Sequence, residues 1–291
     1  MQENGLLALA AAMMWGGGDF SGGMGVKTAG GSTRAALRFI FLAHSISFVV
    51  LAGILLARRQ AVPGGALLGW SLLAGVAGSL ALTAFYIALS RGKMGVSAAV
   101  SGLLGAAIPA LVSMGMEGVP GAKRLIGFGL ALVAIWVIAA GPSPENAGGR
   151  ATMGLAVLAG VGFGVYFVAL RAANPLGLML PIALARAASL VTCTVILLIF
   201  RILGRNEGTS VKRMTGAIVM WAVGVAVLDT GGNMLFLGAT RLGRLDVAAV
   251  LASLYPVGTI LLAAWKLHER PTRRQVMGMV TAVAAVVMIT I

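Results

Sequence analysis

The stretch Met13–Gly23 reads MMWGGGDFSGG and puts a carboxylate, Asp19, in the middle of an apolar run that begins at Leu6. A carboxylate at bilayer mid-depth costs roughly 2.5–3.5 kcal/mol on insertion scales. It must take up a proton, pair with a cation, or face a watery cavity, and each option is a possible function. A second acid, Asp229, stands in VAVLDTGGNMLF, and Asn233 follows four residues later on the same helix face. Arg34 and Arg38 are also four apart, in the second apolar run, and Arg186 stands in the seventh. Arg38 or Arg186 is fit to neutralise Asp19 or Asp229, or to grip a substrate carboxylate with two hydrogen bonds. Helix-end snorkelling is the competing reading, and it is preferred for Arg34.

Gly16, Gly17 and Gly18 precede Asp19, and Gly22, Gly23 and Gly25 follow it. Such a string allows close helix approach, and it predicts a helix that unwinds near mid-membrane to expose backbone to a substrate or ion. Trp15 lies one turn from Asp19 and shares its face. Phe20, Tyr86, Tyr166 and Tyr255 are further aromatic candidates for a cavity wall. His44 stands alone among apolar neighbours and reads as a packing histidine rather than a proton shuttle. Glu117 and Glu269 lie in turns, where capping or charge balance with Lys123 and Arg270 is expected.

Several chemistries are excluded. The glycine string lacks the strand and helix start of a phosphate loop, and no G-x-x-x-x-G-K-[ST] occurs, so ATP is not expected as energy source. The single cysteine, Cys193, cannot form an internal disulfide or a multi-cysteine metal site. Two histidines and no H-E-x-x-H leave no metal centre, and no cofactor is expected. The chain does not read as an enzyme.

The elements that position these residues follow from composition. Of 291 residues, 59% are hydrophobic and 10% charged, against about 25% charged in soluble domains. Ten apolar runs are legible: Leu6–Val26, Ala35–Ala57, Ala66–Leu89, Val96–Met114 and Leu125–Ala140, then Met153–Leu170, Leu178–Ile202, Met214–Ala239, Val247–Trp265 and Val276–Ile291. Most reach the roughly 20 residues that span a hydrocarbon core. No basic residue precedes the first run, which therefore reads as a retained helix rather than a cleaved leader. The net charge of +14 comes from Lys and Arg mostly in the connections, where they face lipid headgroups. Nucleic acid is not an expected partner.

The polar break Gly141–Arg150 divides the chain near its midpoint, and the halves repeat. Gly92–Ala99, GKMGVSAA, corresponds to Gly243–Val250, GRLDVAAV; the same register carries Pro120 to Pro271 and Gly127 to Gly278. Earlier in the halves Arg38 corresponds to Arg186, at an offset of 148 rather than 151. Five helices per half is an odd number, which inserts the two halves in opposite orientations. The two acids do not recur: Asp229 corresponds to Gly78 and Asp19 to Phe167.

These residues resemble the EamA-type transporters of the drug/metabolite transporter superfamily. The likeness rests on WG…F in the first helix (Trp15, Gly16, Phe20), an Arg early in the second helix of each half (Arg38, Arg186), and a proline and glutamate across the fourth and fifth helices (Pro256, Glu269). In the first half the proline stands at Pro109, closer to Glu117, and Asp19 replaces what is often a neutral polar residue. The resemblance implies an all-α integral membrane protein of ten transmembrane helices, in two inverted five-helix repeats at 1–145 and 146–291. It implies a secondary transporter of small metabolites, drug-like cations or amino-acid-like compounds, gradient-driven or proton-coupled, in the bacterial inner membrane. Asp19 would exchange a proton for a cationic group, or hold the ammonium of a zwitterion. The substrate site would draw on Asp19, Trp15, Phe20, Arg38, Asp229, Asn233 and Tyr255, with the first, third, sixth and eighth helices as walls. Partners are the substrate and membrane lipid, and two complete repeats are compatible with a monomer. A lipid-carrier flippase or a non-transporting scaffold is the alternative. Both termini would be cytoplasmic, yet the basic connections favour the reverse: Arg201, Arg205, Lys212, Arg213, Lys266, Arg270, Arg273 and Arg274 with others outnumber Arg58, Arg59, Lys123, Arg124, Arg171, Arg241 and Arg244.

Overall fold

The computed structural model describes residues 3–91, 94–139, 150–204, 214–266 and 272–290. Among them there is no strand. The helices are α1 (Glu3–Ala29), α2 (Thr33–Ala57), α3 (Ala66–Arg91), α4 (Met94–Glu117) and α5 (Ala122–Ala139), then α6 (Arg150–Ala172), α7 (Leu180–Ile202), α8 (Gly216–Leu242), α9 (Leu245–Ala252), α10 (Pro256–Lys266) and α11 (Arg273–Thr290). Seven helical spans are long and apolar enough to cross a membrane: α2, α3, most of α4, α6, α7, α8, and α9 with α10 taken together. Glu269 and the Gly141–Gly149 break lie outside the described residues.

Local signals set the helix starts. The Ser32 hydroxyl accepts from the Ala35 amide at 3.1 Å and caps α2. Thr215 does the same for α8 through the Ile218 amide at 3.4 Å. Between α1 and α2 the chain reverses through Gly30 and Gly31, whose φ of 116° and 69° suit glycine.

Two expectations change here. The first helix does not unwind: α1 runs unbroken from Glu3 to Ala29. Its glycines serve close packing instead. A Cβ on Gly16 would sit 2.8 Å from the Tyr255 carbonyl oxygen and 2.9 Å from Gly258 Cα, and a Cβ on Gly22 would enter the Tyr86 ring. The break falls instead in the run Val247–Trp265, where Ser253–Tyr255 turn between α9 and α10 ahead of Pro256. Proline disfavours helical geometry in the residue before it, which accounts for the interruption. Its counterpart α4 continues through Pro109.

The helices pair with exchanged partners. α1 packs on α8 as α6 packs on α3; α2 meets both α8 and α7, and α7 meets α3; α5 packs on α11. The α2–α7 pair is antiparallel, since Arg34 reaches the Phe200 carbonyl while His44 reaches Ser189. The outer surface is apolar, with Met116 and Ile202 each 81% exposed, while polar groups such as Asp19, His44, Arg186 and Asn233 are buried. That inversion suits a lipid surround.

One end of the bundle is tied by charge. Arg244 donates to the Glu117 and Gly118 carbonyl oxygens at 3.0 and 2.6 Å and to Asp246 at 2.8 Å. Glu117 also lies 4.0 Å from Arg171. The partners of Glu117 are thus Arg171 and Arg244, with Ser113 donating to it at 3.1 Å. The hydrogen bond to Asp246 holds the Arg244 guanidinium above its ordinary pKa range.

Candidate functional site

Trp15 and Asp19 lie one helical turn apart on α1 and face the same internal cavity. α3 supplies small residues to its wall, Gly75 and Gly78 among them, and α6 supplies Phe163, Tyr166 and Phe167. α7 brings Arg186 and Ser189, α8 brings Asp229 and Asn233, α2 brings His44, and the α9–α10 turn brings Tyr255. The space is tight, with about 40 Å³ open to the centres of water molecules, room for a few waters at most.

One side of the cavity is a continuous polar network. Arg186 forms an ion pair with Asp229. Its other terminal nitrogen donates to His44 Nε2 at 2.9 Å. A guanidinium has only donors, so His44 Nε2 is an acceptor and the ring proton sits on Nδ1. Nδ1 then donates to Ser189 Oγ at 2.6 Å. Asn233 donates to the same Asp229 oxygen at 3.2 Å. Its own Oδ1 is buried with no hydrogen-bond partner among the described residues.

Asp19 is different. It is 8% exposed, and among the described residues no side chain makes an ion pair or hydrogen bond to it. The wall beside it is aromatic. Trp15 stacks on Phe167 at 5.0 Å and lies 5.5 Å from Phe236. Tyr255 packs edge-on to Phe85 at 6.2 Å and shares a 2.7 Å hydrogen bond with Ser101 of α4, so the broken helix is joined to the first half of the chain at the cavity floor.

Trp15, Asp19, Asp229, Asn233 and Tyr255 thus come together at one cavity. Phe20 and Arg38 do not. Phe20 is buried edge-on against Trp221 at 6.1 Å, away from the cavity. Arg38 is exposed, because α2 turns Phe39, Ile40, Ala43 and His44 inward and leaves position 38 on the outer face. The cation that reaches Asp229 is Arg186. Among the lining residues not singled out from sequence are Phe163, Phe167 and Ser189. The α6 aromatics carried a readable signal: Phe163, Tyr166 and Phe167 are spaced for one helix face. The walls also take in α2 and α7 beyond the helices expected.

Apolar helices enclosing a polar, water-sized cavity are those of an integral membrane protein. Residues 150–291 match the family model described as the EamA-like transporter family, part of the drug/metabolite transporter superfamily. Members of that family are membrane transporters of small molecules rather than enzymes. No curated protein sequence matches the chain. A solved structure, titled only as the crystal structure of a protein, superposes with a TM-score of 0.72 over 99% of this chain and 96% of its own, at 16% identity. At that identity the likeness is one of fold.

Proposed function

We propose that this transporter moves a small cationic or zwitterionic amine by alternating access, with Asp19 as the group that binds it. The observation that carries the reading is the unpaired carboxylate of Asp19, buried beside an aromatic wall. Asp229 is compensated by Arg186, so the cavity retains one formal negative charge when Asp19 is ionised. An ammonium group resolves that charge, donates to Asn233 Oδ1, and gains from the faces of Trp15 and Tyr255. A proton at Asp19 serves the same purpose when the site is empty, which allows proton exchange to drive the cycle. Ten crossings in two inverted five-helix repeats, 1–145 and 146–291, are the architecture that fits. The exchange of partners between α1–α8 and α6–α3, and the antiparallel α2–α7 pair, support it.

The test is ligand-induced thermal stabilisation of the purified protein. Organic cations, amino acids and organic anions would be compared at several pH values, in wild type and Asp19→Asn. Stabilisation by an amine that weakens as pH falls and drops at least tenfold in apparent affinity in Asp19→Asn supports the reading. Stabilisation by anions alone, or by amines equally in both proteins, ends it.

A further inference from the structure

A second cavity lies outside the central site, in the seam between α2 and α7. It is larger, about 630 Å³, and opens on the outer surface. Arg34, Arg38 and Arg201 line it at one end; Phe41, Leu197 and Leu198 line it further along. The antiparallel packing explains the arrangement. Arg34 and Arg38 occupy the first turns of α2, and Arg201 the last turn of α7, so all three cations collect at one end of the seam. Arg38 is about 7 Å along α2 from Thr33, close enough to the helix end for its long side chain to snorkel to the headgroups. The apolar side chains follow toward the bilayer centre.

Arg34 is already engaged, donating to the Phe200 carbonyl at 3.2 Å. Among the described residues Arg38 and Arg201 make no ion pair or side-chain hydrogen bond, and both are exposed. Two guanidiniums at headgroup depth above an apolar trough match one molecule in charge and shape. From this geometry we infer that the α2–α7 seam is a binding site for an anionic phospholipid. The headgroup phosphate lies between Arg38 and Arg201, and the upper acyl chain lies along Phe41, Leu197 and Leu198. The site is distinct from the central cavity, although the same two helices carry His44, Arg186 and Ser189 into it. A lipid wedged in the seam would therefore bear on the alignment of those residues.

The experiment uses the full-length protein in nanodiscs of phosphatidylcholine doped with phosphatidylglycerol, with bound lipid counted by native mass spectrometry after detergent transfer. A guanidinium near the membrane surface contributes about fivefold in affinity for an anionic lipid. Arg38→Gln and Arg201→Gln should each weaken phosphatidylglycerol retention by about that factor, and the double substitution by about 25-fold. Arg58→Gln with Arg59→Gln, at the opposite end of α2, should leave it unchanged. Leu198→Trp, which fills the trough without altering charge, should also reduce retention. Equal retention in wild type and the double variant overturns the inference. So does displacement of the lipid by millimolar glycerol phosphate, which would mark a site for a free phosphoester, or unchanged retention in Leu198→Trp.

Discussion

Asp229 reaches the cavity with Arg186 on one carboxylate oxygen and Asn233 on the same oxygen, while Arg186 is itself braced by His44 and Ser189. Asp19, on the facing helix α1, borders the same space with no such support. Asp19 is buried and Asp229 partly so, yet only Asp229 is built into the framework. The difference separates two roles that a polar residue inside a membrane can take. Asp229 and Arg186 hold α7 against α8; Asp19, without such a partner, is the group proposed above to meet the substrate.

Removing the brace puts this contrast under the greatest load. Arg186→Met should cost about 3–5 kcal/mol, because it leaves Asp229 buried and uncompensated. The thermal midpoint in detergent reads this, and Arg186→Met with Asp229→Leu should recover most of the loss. If Arg186→Met is as stable as wild type, the pair is not structural. Asp19→Asn should do the opposite: an unchanged midpoint but at least a tenfold loss of amine affinity, about 1.4 kcal/mol, by titration. A midpoint shift as large as that of Arg186→Met would place both acids in the framework. Tyr255→Phe removes the bond to Ser101 and should lower stability by about 1 kcal/mol. Amine affinity should stay within threefold in that variant, since the ring face remains. Phe20→Leu should have the smallest effect on binding, with affinity unchanged in the same titration, because Phe20 packs on Trp221 outside the cavity.

Much of this contrast is legible in the amino-acid sequence. An acid in an apolar run announces itself, so Asp19, Asp229 and the nearby Asn233 stand out, as does Trp15 one turn away. The helices are legible for the same reason: few residues besides those in connections interrupt the hydrophobic runs. Direction is not legible. Arg38 and Arg186 occupy corresponding places in the repeat, yet one faces outward and the other inward. Helix rotation is set by which neighbours each face meets, and the four inward residues after Arg38 decide it only once the packing is known. The glycines mislead in a related way. A glycine string permits both unwinding and close contact, and here the Tyr86 ring and the Gly258 backbone select close contact. The break instead precedes Pro256, in a stretch whose apolar composition reads as an unbroken span.

The ties at Arg244 carry a consequence of their own. Glu117 and Arg244 are partly open to water, so their attraction is screened by dissolved ions, whereas the more enclosed Arg186–Asp229 pair is less so. Ionic strength therefore acts as a lever on one end of the molecule. Raising it loosens the end at Gly118 while the centre holds, and the reactivity of a single cysteine introduced by Val119→Cys, at an exposed neighbouring position, in a Cys193→Ala background, would follow the salt concentration.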